Sequence, residues 1–160
     1  MIQSLKTAAA AVLLSGLAFT AFTQNALAAD SARNVALEEQ NRAVVLKFYD
    51  EFFNKHKTQE AAKVVVDDYK QHNPDVPDGK APFVDYFTGF FKENPQSRAR
   101  IVRSAADGDL VWLHVHSTNG PKDRGQAVLD VFRLKDGRIV EHWDVTQDVP
   151  AEAANKNTMF

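Results

Sequence analysis

An α+β fold, with N-terminal helices packed on a curved antiparallel sheet, is what this sequence predicts, and three observations carry the prediction. Apolar residues recur every three to four positions in the first part of the chain, the period of one helical face. After Pro95 the period falls to two, that of a half-buried strand. Asp107-Gly108 and Asp136-Gly137 then punctuate the second part with hairpin turn signals. Helices first and a strand meander second place the helices over one face of the sheet.

The elements follow in order. The first 28 residues read as a cleaved leader: Lys6 precedes an apolar run at 8–22, and Ala26-Leu27-Ala28 supplies a small-x-small cleavage site. That run is too short and interrupted for a convincing membrane span. Residues 29–160 then form one domain. A helix is expected over 34–55, with Leu37, Val44, Val45, Phe48, Tyr49, Phe52 and Phe53 on its apolar face. Thr58 caps a second helix reaching about residue 67, with Ala61, Val64 and Val65 buried. Residues 69–74 are extended, because the residue before Pro74 is pushed out of the helical region. The stretch 75–79 is a turn-rich loop, and a third helix spans 82–92 with Phe83, Tyr86, Phe87 and Phe90 at helical spacing. Strands are expected at 98–105, 110–118, 126–134 and 138–146, and 151–160 as a loose tail.

Composition narrows the function. The chain has 160 residues, 44% of them hydrophobic and 25% charged, with 19 basic against 21 acidic side chains. Such balance excludes a disordered tail, a collagen-like repeat and a strongly basic nucleic-acid binder. Leader removal takes away only Lys6 among the charges, so the formal net charge of −2 becomes −3. The expected product is a periplasmic or secreted protein, not membrane-bound after cleavage. With no cysteine, thiolate metal sites, cysteine nucleophiles and disulfides are ruled out. No phosphate-binding glycine loop, dinucleotide fingerprint, serine elbow or zincin helix is present, so no cofactor is expected.

Two stretches carry a family resemblance. Tyr69-Lys70-Gln71-His72-Asn73-Pro74, followed by a glycine-containing loop and an aromatic helix, is one. Val131-Phe132-Arg133-Leu134-Lys135-Asp136-Gly137-Arg138-Ile139-Val140-Glu141-His142-Trp143-Asp144 is the other. Together they resemble the SnoaL-like branch of the nuclear transport factor 2-like (NTF2-like) superfamily. The resemblance implies a cone-shaped α+β barrel, a pocket between sheet and helices, and a homodimer. It also implies that Asp144 matches the acid/base aspartate of the family's polyketide cyclases and Asn73 their asparagine before a proline. The place of their pocket histidine is taken by Asp130.

Register decides whether these groups meet. A two-residue turn at Asp136-Gly137 would set Asp130 opposite Trp143. A three-residue loop, Lys135-Asp136-Gly137, with a glycine bulge pairs Asp130 with His142 and Val128 with Asp144. The second is preferred, since it gathers Asp130, His142 and Asp144 on one face and leaves Leu129, Val131, Ile139 and Trp143 on the other with the bulk of the apolar surface. A carboxylate on a concave, aromatic-lined wall suits general-base work, because desolvation disfavours the charged form. Asp144 is the first candidate. It would remove a proton beside a carbonyl while His72 or Asn73 donates to the developing enolate oxygen, with Asp130 and His142 as further polar groups.

Tyr49, Tyr86, Phe87 and Trp112 are expected to line the pocket, as are His114 and His116, which share one strand face. The reading is a cofactor-free lyase or isomerase acting on a small hydrophobic or carbonyl-bearing molecule. A non-catalytic small-molecule binding protein and a metal site on His114 and His116 stand as alternatives. Arg98, Arg100 and Arg103 are read as a solvated strand face rather than an anion site.

Overall fold

Asn34 opens the first helix: its side-chain oxygen accepts the Leu37 N–H at 3.1 Å, satisfying one of the unpaired donors of the first turn. The computed structural model describes residues 33–160, so the expected leader at 1–28 lies outside the described residues. Helix α1 spans Val35–Tyr49 and widens into a π-helical turn over Asp50–Asn54, with Lys55 N–H reaching back to the Asp50 carbonyl. Asn54 ties that turn to the sheet through both backbone groups of Ala99. Tyr49, Phe52 and Phe53 are thereby aimed beneath the helix.

Helix α2 is shorter than expected. It covers Thr58–Ala61, tightens into a 3₁₀ turn at Ala62–Val64, and gives way to strand β1 at Val65–Gln71. The run Val64-Val65-Val66 is β-branched and stiff, which favours the pleated surface over the helix, and Val65 is buried as a strand residue. Helix α3 spans Lys80–Glu93, starting two residues before Pro82, whose missing N–H costs nothing in a first turn. Strands β2 (Arg98–Asp107), β3 (Leu110–Thr118), β4 (Gln126–Lys135) and β5 (Arg138–Asp148) follow within two residues of the expected bounds.

The sheet order is β1-β5-β4-β3-β2. β2 to β5 form the antiparallel meander, but β1 runs parallel to β5, so the sheet is mixed rather than antiparallel, and it ends at β1 and β2 without closing into a barrel. The sequence distance explains the difference. A hairpin dictates direction only between neighbouring strands, and β1 reaches β5 after a helix and three other strands.

The β4–β5 register also departs from expectation. Asp136 (φ 51°) and Gly137 (φ 72°) are both left-handed and form a two-residue turn, pairing Lys135 with Arg138 and Leu134 with Ile139. Val140 is then an extra residue in β5, so Arg133 pairs with Glu141, Phe132 with His142, and Asp130 with Asp144. The bulge sits in the strand, not in the turn. Asp130 therefore faces Asp144 instead of His142, and Val128 faces Thr146 instead of Asp144. One extra residue restores the parity, however, so Asp130, His142 and Asp144 do share a face.

That face is the one the helices cover. Val111, Leu113, Val115, Val128, Phe132 and Leu134 are buried on it, and the two-residue turn sets Ile139 inward beside Leu134. The apolar bulk thus lies with the polar triad, not opposite it, while Leu129 and Val145 are exposed on the outer face. Against the inner face pack Val45, Phe48 and Phe52 of α1 and Phe83 and Phe91 of α3, with the Phe52 and Phe83 rings stacked at 4.6 Å.

Candidate active site

Between α1, α3 and the inner sheet face lies a cavity of about 530 Å³. Its walls are mainly aromatic, from Phe53, Tyr86, Phe87 and Phe90 among others, and its floor is polar. Alternation along β4 delivers Asp130, alternation along β5 delivers His142 and Asp144, and α1 ends with Tyr49 pointing at them.

The two aspartates are cross-strand neighbours but are held differently. Asp130 is buried. Its Oδ2 accepts the Tyr49 hydroxyl at 2.8 Å, and its Oδ1 lies 2.9 Å from His142 Nε2. Burial, reinforced by the charges of Asp130 and Asp144, pushes the Tyr49 phenol well above its ordinary value, so it stays a donor. Tyr69 behaves the same way for the same reasons. Asp144 is half-buried and, among the described residues, receives only the Asn73 side-chain amide, Nδ2 donating to its two oxygens at 2.8 and 3.0 Å. Asn73 is oriented for this by the Asp75 N–H, which donates to its oxygen at 2.9 Å and so fixes which end of the amide faces Asp144.

Gln71, which sequence reasoning missed, links the two halves. Its Oε1 accepts the Asn73 backbone N–H at 3.0 Å and lies 2.9 Å from His142 Nδ1. The signal was present: Tyr69, Gln71 and Asn73 alternate, and all three line the cavity. Reading 69–74 as an extended segment without a strand partner hid the face they share.

The expected residues divide cleanly. Asp144, Asn73, Asp130, His142, Tyr49, Tyr86 and Phe87 all line the cavity, Tyr86 from its 62% exposed rim position. His72 does not. It lies outside, stacked on Trp143 at 4.5 Å and paired with Glu141 at 2.7 Å, because β1 sends alternate residues to opposite faces. The His72 contact, with Arg133 behind it, holds the Glu141 carboxyl below the usual carboxylate range.

Trp112, His114 and His116 also fall on the outer face, alternating with the buried Val111, Leu113 and Val115. There the Arg103 guanidinium donates to His114 Nδ1, His116 Nε2 meets the Arg124 carbonyl, and the Phe160 ring stacks on His116 at 4.2 Å. Among the described residues no group of three or more acidic or histidine side chains is arranged to hold a metal ion, and no helix is long and apolar enough to cross a membrane.

Comparison with known proteins gives this geometry a setting. The model of the SnoaL-like domain matches residues 45–142. Three solved structures share the fold. One is a protein from Kribbella flavida assigned as a ketosteroid isomerase, 20% identical over 74% of this chain and 85% of that one, with a TM-score of 0.60. Another, from Bacillus cereus and assigned as a polyketide cyclase, is 22% identical over 67% of this chain and 74% of that one, with a TM-score of 0.57. A SnoaL-like protein of unknown function from Burkholderia thailandensis is 18% identical over 66% and 96%, with a TM-score of 0.55. No curated protein sequence matches the chain.

Proposed function

Because this chain belongs to the SnoaL-like domain family, whose model covers 45–142, we propose that it is a cofactor-independent isomerase or lyase. Its substrate is a neutral, hydrophobic small molecule in which a carbon beside a carbonyl loses its proton. The observation that carries this reading is the unequal treatment of two opposed carboxylates. Asp130 is held by Tyr49 and His142, whereas Asp144 has only an amide and borders the cavity.

In the proposed step Asp144 takes the proton, the C–H electron pair becomes the carbon–carbon double bond of an enolate, and the carbonyl oxygen takes the negative charge. The Tyr49 hydroxyl, turning from Asp130 Oδ2 to the bound substrate, donates the hydrogen bond that stabilises that oxygen. Where the enolate is conjugated with a further double bond, return of the proton by Asp144 to the far carbon gives an isomer; where the enolate carbon attacks a second carbonyl, the alkoxide that forms takes the proton back from Asp144 and gives an aldol product. Among the described residues the lining holds aspartates but no lysine or arginine, which supports a neutral substrate over an anionic one.

Incubation in D₂O with a panel of ketones, β-keto esters and hydroxyketones tests the reading. Deuterium is expected beside the carbonyl with the unmutated protein, and roughly 10²-fold slower entry with Asp144→Asn, the scale of general acid–base work. Equal exchange by both proteins overturns the role of Asp144. Specific ligand retention without exchange favours a binding protein instead. Export belongs to the same proposal, supported by Lys6, the apolar run at 8–22 and Ala26-Leu27-Ala28. Cell fractionation should find a chain beginning near residue 29 outside the cytoplasm, and a full-length cytoplasmic chain contradicts it.

A further inference from the structure

We infer that Gln71 is a positioning residue that fixes the tautomer of His142, and thereby makes Asp130 and His142 a net-neutral pair sharing one proton. A backbone N–H only donates, and that of Asn73 points at one end of the Gln71 amide at 3.0 Å, so that end is the oxygen. The same oxygen lies 2.9 Å from His142 Nδ1 and only accepts, so Nδ1 carries a hydrogen. The amide nitrogen at the other end makes a long 3.5 Å contact to the Tyr69 hydroxyl, consistent with the same orientation.

With Nδ1 protonated, the remaining ring nitrogen faces Asp130 Oδ1 at 2.9 Å. One proton occupies that contact. Either it sits on nitrogen, giving imidazolium and carboxylate, or on oxygen, giving neutral imidazole and carboxylic acid. The pair has zero net charge in both cases. Tyr49, kept in its phenol form by burial, donates to the other Asp130 oxygen and completes the set. Asp144 is then the net charge on the inner floor, although two carboxylates face each other across β4 and β5. Gln71 also holds the backbone of Asn73, whose side chain holds Asp144, so one amide sets the geometry of both halves.

The consequence for the reaction rests on the proposed function; the tautomer does not. Nitrogen-15 NMR of histidine-labelled protein at neutral pH, without substrate, is the direct test. His142 Nδ1 is expected to carry a hydrogen in the unmutated protein, and a His142 found with Nδ1 bare and Nε2 protonated overturns the inference.

Two variants extend the test. Gln71→Leu removes the acceptor and is expected to leave His142 as a mixture of tautomers. Gln71→Glu keeps an acceptor oxygen at that place and is expected to preserve the Nδ1-protonated form. A Gln71→Leu protein that keeps the unmutated tautomer pattern also refutes the inference. Deuterium exchange should fall roughly 10²-fold in Gln71→Leu and recover in Gln71→Glu. If the tautomers follow the substitutions while no protein exchanges deuterium, the positioning role stands and the proposed reaction fails.

Discussion

A carboxylate that is to take and return a proton cannot be saturated by strong donors, and among the described residues of the inner face Asp144 is the one left in that condition. Asp130 depends on its donors in a way that can be measured. Tyr49→Phe deletes the hydroxyl and leaves the buried Asp130 Oδ2 without its 2.8 Å partner, at a cost of about 1–3 kcal/mol of stability at pH 7. The pH dependence has a definite sign. The folded-state pKa of Tyr49 is raised, chiefly by burial, so the unfolded chain releases its phenolic proton first as pH climbs. The stability tied to the neutral phenol is therefore complete below about pH 10, the usual tyrosine value, and is lost as pH rises through it. Urea unfolding at pH 7, 9 and 11 should show a decline above pH 10 that is shallower in Tyr49→Phe, with Tyr69 supplying what remains. Equal slopes would remove Tyr49 from the account. Most of the site was legible at this scale, because polar residues among aromatics stand out on alternating strands. His72 and Gln71 exchange places, since adjacent residues of an extended segment face opposite ways and nothing local shows that 69–74 pairs with β5 and which face it turns inward.

At the scale of elements, one inserted residue decides whether the site exists. The Asp136-Gly137 turn alone would set Asp130 opposite Trp143; the bulge at Val140 moves every later β5 residue by one and brings Asp144 and His142 inward. Deleting Val140 restores the regular ladder and turns Trp143 toward the helices and His142 away. The deletion variant is expected to lose cooperative unfolding and soluble expression, whereas Val140→Ala, which keeps the backbone count, should cost only about 1 kcal/mol. A folded deletion variant with an intact cavity would show that the register is set elsewhere. The bulge was not readable from composition, because a half-buried valine in a bulge looks like any strand valine. The positions of the hairpins and the helical periods were readable, being local, but the two-residue form of the Asp136-Gly137 turn was not. The parallel β1–β5 pairing was not, since it joins residues about 70 positions apart and no turn announces it.

At the scale of the molecule, charge and shape together choose the ligand. The chain carries a formal net charge of −2, and the cavity concentrates that sign: Asp75, Asp130 and Asp144 line it, with no lysine or arginine among the described lining residues. His142 offsets Asp130, so a bound anion would face Asp144 on the floor and Asp75 nearer solvent with nothing opposing them. At an effective dielectric near 20, two like charges about 5 Å apart repel by roughly 3 kcal/mol, less where solvent enters. A tenfold change in affinity corresponds to about 1.4 kcal/mol. A carboxylate should consequently bind at least about tenfold more weakly than a neutral methyl ketone of the same shape. An aryl methyl ketone and the corresponding aryl carboxylate, titrated against the protein by NMR, supply the comparison. Raising salt should narrow the gap by weakening the repulsion of the anion, and Asp144→Asn should narrow it further. A carboxylate that binds as tightly as the ketone would mean that a cation reaches the ligand from outside the described cavity wall, and the neutral-substrate reading would then fall.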